Sequence, residues 1–381
     1  MKYFVIFSRI FVGVLFILSG FVKVNDPLGF SYKLDEYFTV FGMTWMIPYS
    51  LFLSVFTSAL EIILGAALLA GYRMVPVTWL LLLMIIFFTW LTGYSAVTGK
   101  VTDCGCFGDA VKLKPVQSFF KDIILLVFIL ILFLKRKAIK LYMGVTAGHL
   151  YMGMVSVLTL GFAIWCYRHL PLIDFRPYAI GKNIPGQMVI PEGAPVDEWE
   201  VMYTLQNKKS GESKKMTSKD YIAQKVWEDT TWMILNDKTE NKLITEGYHP
   251  PVHDFSITDM DGNDFTDSVL QFDGYLFLFI AYDLNKSSRS DMKEINDLEA
   301  RCREKSIPFI GLTASNDLSI DNFKHETQAM FDFFNADETV LKTMIRSNPG
   351  IMLLSKGTVL DMWHHNDVPE FGETGNKFGF N

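Results

Sequence analysis

The sequence predicts an α-helical transmembrane bundle, four helices plus a fifth span, followed by a soluble α/β domain with a small β-rich insert. Three observations predict it. Five apolar runs, at about 3–22, 46–70, 75–94, 116–134 and 149–167, each come near the roughly 20 residues a helix needs to cross the hydrocarbon core. Beyond about residue 170 the texture changes to the mixed polar and charged composition of a soluble domain. From about residue 253, short apolar runs alternate with polar-faced stretches of helical length, the pattern of a sheet with helices on its faces.

The five runs are joined by short polar loops, and consecutive runs of this length are spans rather than buried helices of a soluble core. The first begins after Met1 and Lys2 and continues through Ser19, Gly20 and Lys23 without a small-residue cleavage pattern, so it reads as an uncleaved span rather than a leader. Lys135, Arg136, Lys137 and Lys140 cluster between the fourth and fifth runs, with Lys2 and Arg73 on the same side, which the positive-inside rule marks as cytoplasmic. Lys100, Lys112 and Lys114 fall on the other side and weaken that bias. Alternation then leaves the N-terminus in the cytoplasm and puts loops 23–45 and 95–115, and everything after Arg168, outside. In a bacterium this is an inner-membrane protein with a periplasmic C-terminal domain, and its first partner is the lipid bilayer.

Two charges fall inside the spans, Arg9 and Glu61. A charge at membrane depth needs a partner or a wet cavity. The two depths are compatible with an ion pair between them, with a proton- or quinone-related role as the other reading. The net charge of −6 excludes a nucleic-acid partner, because phosphate binding needs clustered Lys and Arg.

The chain has four cysteines, Cys104, Cys106, Cys166 and Cys302, too few for a disulfide scaffold. Cys104 and Cys106 stand two apart in Asp103-Cys104-Gly105-Cys106-Phe107-Gly108-Asp109, just ahead of the fourth run. A ring closed by such a pair is small and strained, which makes its disulfide a labile oxidant. Gly105 supplies the backbone freedom that the ring needs. Three readings stand: thiol-disulfide exchange, structural cysteines, and a metal site, the last lacking further soft ligands nearby. Cys166 is a shuttle partner or simple packing, and Cys302 reads as buried. His364, His365 and Asp367 lack a second ligand cluster, so no metal site is expected. Lys23, Asp26, Lys121 and Asp122 read as anchors of helix ends at the interface, or as residues that order the cysteine loop.

The segments LSGFVKVNDPLGFSYKLDEYF (18–38), DCGCFGD (103–109) and SFFKD (118–122), with Glu61, resemble the membrane domain of DoxX-like proteins and of the methylamine-utilisation protein MauE, over about residues 1–135. That resemblance implies a four-helix membrane domain associated with disulfide formation or with electron transfer to quinone. Cys104 and Cys106 would be the redox pair, with Asp103, Gly105, Phe107, Lys121 and Asp122 in support. Residues 136–170, a cytoplasmic loop and the fifth span, and the outer domain go beyond the MauE pattern, and the whole layout resembles a Bacteroidetes branch of that family.

Residues 171–252 read as a small strand-rich segment, with hairpins at about 199–218 and 230–245. In residues 253–381 the order of strands and helices, with Asn348-Pro349-Gly350 ahead of a strand, resembles a thioredoxin-like domain of the TlpA type. In that family the proline has a cis peptide bond and borders the active site, which makes Pro349 the partner-binding candidate. Where the family carries Cys-x-x-Cys, this chain reads AYDLNKSSRSDMKE (281–294), without a cysteine. The domain is therefore expected to be redox-inactive by itself and to bind a polypeptide.

Together these readings give a membrane-anchored thiol-disulfide exchange or redox-maturation component of the cell envelope. Its partners would be the bilayer and an envelope polypeptide, with quinone as the candidate electron acceptor and no bound cofactor evident in the sequence. The alternative is a noncatalytic membrane scaffold that binds an envelope protein through its degenerate thioredoxin-like domain.

Overall fold

The computed structural model describes residues 2–101, 103, 105–245 and 247–380. Among the described residues five helical segments are long and apolar enough to cross a membrane: Tyr3–Asn25, Thr44–Ala70, Met74–Thr98, Pro115–Ala138 and Val145–Arg168. They belong to helices α1 (Lys2–Asn25), α3 (Ser50–Ala70, entered through a 3₁₀ turn Thr44–Tyr49), α4 (Met74–Thr98), α5 (Pro115–Lys135) and α6 (Val145–Arg168). The chain is an integral membrane protein.

The stretch expected as an outer loop is instead largely helix α2 (Pro27–Val40). Proline at the first helical position costs no hydrogen bond there, and Asp26 caps the helix by accepting from the Gly29 amide at 2.8 Å. Buried Phe30, Ser31 and Tyr37 fix it to the bundle.

Helices α1 and α3 pack antiparallel through glycine. A Cβ on Gly20 would lie 2.7 Å from the Ser58 carbonyl oxygen, and one on Gly65 would lie 2.7 Å from that of Gly13. This register corrects the expected Arg9–Glu61 pair. Glu61 lies level with Gly20, about eleven residues further along α1 than Arg9, or roughly 16 Å at ~1.5 Å per residue. Arg9 instead donates to the Leu68 and Leu69 carbonyls at 2.7 and 2.5 Å, capping the end of α3, and stacks on Tyr142.

Residues Pro185–His253 form a compact unit by themselves, entered through helix α7 (Ile184–Met188). Strand β1 (Glu198–Asn207) pairs antiparallel with β2 (Ser213–Thr217), β3 (Trp232–Ile234) and β4 (Glu240–Thr245), and α8 (Ser218–Ala223) follows β2. Leu205, Met216 and Val226 form its small core.

After α9 (Thr266–Leu270) come β5 (Tyr275–Ala281), α10 (Met292–Glu304), β6 (Phe309–Thr313), α11 (Asp317–Thr327), β7 (Phe333–Asn335), α12 (Glu338–Met344), β8 (Gly350–Ser355), β9 (Thr358–His364) and α13 (Phe371–Phe378). The sheet order is β7-β6-β5-β8-β9, with β5, β6 and β7 parallel and β8 and β9 antiparallel to their neighbours. This is the expected thioredoxin-like α/β arrangement. Phe279, Phe309 and Phe333 pack around Phe331 with ring centroids 5.0 to 5.2 Å apart, anchoring its core. Residues 181–184 run along β9 as a further edge, with Gly181 donating to Val359 at 2.7 Å and Ile184 to Gly357 at 2.8 Å. The Asn348-Pro349 bond is cis.

Candidate redox site at the cysteine loop

Cys104 lies outside the described residues. Cys106 is half-buried on the turn between α4 and α5, with Gly105 before it at φ +65°, a conformation that favours glycine. Crowding adds to the requirement, because a Cβ on Gly105 would lie 2.8 Å from Cγ of Lys33.

Residues on both sides of Cys106 are pinned by charges from elsewhere in the fold. Lys33 of α2 pairs with Asp103 at 3.1 Å and with Glu36 at 2.6 Å. Burial lowers the Lys33 pKa, but the Asp103 charge and the Glu36 hydrogen bond outweigh it and hold the ammonium above its ordinary value. On the other side Asp109 accepts from Arg346 at 2.9 Å. Between them, Ser19 donates to the Cys106 carbonyl at 3.0 Å, and the Lys121 ammonium sits 5.2 Å from the Phe107 ring centroid.

Behind the loop is a cavity of about 290 Å³ lined mostly by apolar side chains. Cys106 and Phe107 border it on the loop side, and Phe87 and Trp90, 54% and 56% exposed, border it on the side open to lipid. Two buried carboxylates line its polar wall. Glu61, 2% exposed, pairs with Lys23, itself 3% exposed, whose ammonium also faces the Phe30 and Phe88 rings at 5.1 and 5.5 Å. Glu61 Oε2 is buried with no hydrogen-bond partner among the described residues. Asp122 is paired with Lys121 at 2.9 Å and accepts from Thr92 at 3.0 Å.

Of the sequence-selected residues, the structure therefore brings Asp103, Gly105, Cys106, Phe107, Lys121, Asp122 and Glu61 to one region, and leaves Arg9 at the opposite end of the bundle. Sequence reasoning gave Lys23 two readings, an anchor of a helix end at the interface or a residue that orders the cysteine loop. It is buried, and the signal was available in its position one turn beyond Gly20, where α1 packs tightly against α3. Arg346 was missed entirely. It is the cation three residues ahead of Pro349.

Pro349 is buried, and its neighbour Asn348 donates to the Asp283 carbonyl at 2.9 Å while accepting from the Ser288 amide at 2.9 Å. Cys166 and Cys302 are both buried, and burial, reinforced by Glu299, pushes the Cys302 thiol up to about 12. Among the described residues no three His, Cys, Asp or Glu side chains converge as metal ligands. His364 accepts from the Asn366 amide at 3.2 Å, and burial, with His365 and His169 nearby, lowers its pKa to about 3.

Residues 1–135 match the family described as methylamine utilisation protein MauE. Protein TlpB of Flavobacterium psychrophilum is 26% identical over 133 residues, 33% of this chain and 35% of that protein, so the chain spans about a third of the length of this curated relative. The solution structure of a proposed protein disulfide isomerase from Bacteroides thetaiotaomicron is 18% identical and is covered over 84% of its length by 33% of this chain, with a TM-score of 0.27. The thioredoxin-like assignment rests on the strand order rather than on that similarity. The match to the MauE family model is thus confined to the N-terminal membrane region, the part of the chain that carries the cysteine loop and its cavity.

Proposed function

We propose that this protein is a membrane-anchored thiol-disulfide exchange component of the bacterial cell envelope, with Cys104 and Cys106 as the reactive pair. The observation that carries this is that Cys106 borders a cavity running from the loop to the lipid-facing side chains Phe87 and Trp90. In the first half-reaction a substrate dithiol reduces the Cys104–Cys106 disulfide, passing two electrons and two protons to the pair and leaving as a disulfide. In the second, the pair is reoxidised by a two-electron acceptor that also takes two protons.

A quinone supplies that sink when bound, and the cavity's chemistry suits it: apolar walls for a ring and tail, and a polar wall at one end. The residues that would face an oxygen there are the two ion pairs on the polar wall, Lys23 with Glu61 and Lys121 with Asp122. The positive cluster Lys135, Arg136, Lys137 and Lys140 at the opposite end of the bundle supports a cytoplasmic assignment for that end. The cysteine loop and the α/β domain are then periplasmic, and the α/β domain is placed to receive an envelope polypeptide.

Trapping tests the reading. Cys106→Ala and, separately, Cys104→Ala are expressed in native membranes, thiols are quenched with acid, and disulfide-linked adducts are identified by mass spectrometry. A specific adduct on one single variant, absent from the double variant, is the expected result. Failure of both to capture a partner, with full cellular function in the double variant, overturns it. The second reading, a noncatalytic scaffold, is favoured by one observation, the absence of cysteine from residues 281–294 where thioredoxin-like redox domains carry their pair. It predicts a loop disulfide that stays oxidised in cells, whereas a working pair cycles.

A further inference from the structure

The segment that joins α12 to β8 carries Arg346, which is 5% exposed and reaches out of the α/β domain into the membrane domain. Its Nε donates to both Asp26 oxygens at 2.8 and 3.0 Å, its Nη2 to Asp109 at 2.9 Å, and its Nη1 to the Lys342 carbonyl. The planar fork thus serves two carboxylates at once, a geometry that a lysine cannot reproduce. The site is built around it. Gly29 leaves the space, since a Cβ there would lie 2.8 Å from Nη2, and the Tyr32 ring lies 5.6 Å from the guanidinium. Tyr32 in turn meets Tyr282 edge-on at 6.2 Å, and Lys342 lies over both rings at 4.9 and 5.1 Å. Burial acts to lower the Arg346 pKa, but the Asp26 and Asp109 charges outweigh it, so the side chain stays charged.

Asp26 and Asp109 do different work. Asp26 caps α2, the helix that also supplies Lys33 to Asp103. Asp109 stands three residues after Cys106 in the same loop. Without the guanidinium the two carboxylates would face each other with no shared counter-charge, and Asp109, the more exposed of the two, would swing toward water and draw the loop with it.

We propose that Arg346 is a positioning residue for Cys106: by clamping Asp109 to α2 and to the α/β domain, it couples the seating of that domain to the accessibility of the Cys106 thiol. Coupling of this kind is reciprocal, so a change in the loop on opening or closing the disulfide is returned to the domain as a change in its docking. The inference deepens the exchange reading by naming what regulates the same thiol. Its test does not need exchange, because alkylation reports on Cys106 whether or not any partner reacts with it.

The full-length protein is reconstituted in lipid nanodiscs with Cys104→Ser, Cys166→Ala and Cys302→Ala, so that Cys106 is the remaining thiol. Its alkylation rate by a polar maleimide is then compared across Arg346→Gln, Asp109→Asn, the double variant and Arg346→Lys, with near-ultraviolet circular dichroism checking the fold. Each single neutralising change is expected to accelerate alkylation about tenfold, the double variant no more than the faster single, and Arg346→Lys by an intermediate factor. Rates within about twofold of the parent for both single variants, or factors that multiply in the double variant, overturn the proposal. Asp109→Asn lies in the loop, outside the α/β core, so the test stands even where Arg346→Gln disturbs that domain.

Discussion

Removing one member of the buried pair between Lys23 and Glu61 should destabilise the bundle more than removing both. Each side chain is 2% exposed, so neither charge has water to fall back on. Breaking a buried pair by deleting one partner costs about 3–5 kcal/mol, whereas replacing both with neutral groups of similar volume is often neutral or stabilising by about 1–4 kcal/mol. The two single variants are not equivalent. A lone Lys23 keeps the Phe30 and Phe88 rings at 5.1 and 5.5 Å, each worth about 0.5–2 kcal/mol to a desolvated cation. A lone Glu61 keeps no such partner and already has one oxygen without a hydrogen bond among the described residues. The order of stability is therefore double variant Lys23→Met/Glu61→Gln first, then Glu61→Gln, with Lys23→Met lowest. Reversible unfolding in mixed micelles of increasing SDS content measures all three against the parent. A single variant as stable as the parent, or a double variant less stable than Lys23→Met, refutes the reasoning. The stable double variant then separates packing from chemistry: if the pair is only structural, thiol oxidation by an added quinone proceeds in it at the parental rate.

His364 makes stability depend on pH, because below its ordinary pKa of 6.5 the unfolded chain takes up a proton that the folded chain refuses until about 3. Stability is present above that window and falls as pH drops through it, by about 2 kcal/mol between pH 7 and pH 5, and denaturant titrations should show His364→Gln losing that slope. Gly29→Ala places a methyl against Asp26 and Arg346 at a capped helix start, and should cost about 1–3 kcal/mol in the same unfolding measurement. Cys302, buried with its thiol near 12, should resist maleimide in the folded protein and react only after unfolding, which mass spectrometry of the labelled peptides reads directly.

The elements that were legible in the sequence are those whose physics is local. Five apolar runs of spanning length have few alternatives, and the buried strands 275–281, 309–313 and 350–355 announce themselves as apolar runs between polar helices. Helix α2 was not legible, because a short helix with Lys33, Asp35 and Glu36 on it carries too little apolar periodicity to stand out from a loop. The ion pairs were illegible for a different reason. Whether Glu61 meets Arg9 or Lys23 depends on the register of two antiparallel helices, which is set by where Gly13, Gly20 and Gly65 allow close approach. Arg346 reaches across 237 residues to Asp109 and 320 to Asp26, separations at which no sequence spacing carries information.

The placement of Pro349 changes how a polypeptide partner has to be sought. The proline is buried, and the chain around it is engaged within the molecule: Asn348 with Asp283 and Ser288, Arg346 with Asp26 and Asp109, and Tyr282, at the end of β5 where a thioredoxin-like redox pair would follow, with Tyr32. A peptide approaching this end of the central strands would have to compete with α2 for it, and on the proposed coupling its success would release Arg346 from Asp109 and loosen the cysteine loop. If Arg346 couples the two as proposed, binding and thiol exposure would be one event, and a partner delivered there would meet a more reactive Cys106 than the resting protein offers. On the proposed coupling, a domain whose single cysteine, Cys302, is buried in its core would contribute to exchange by controlling a pair carried by the membrane domain.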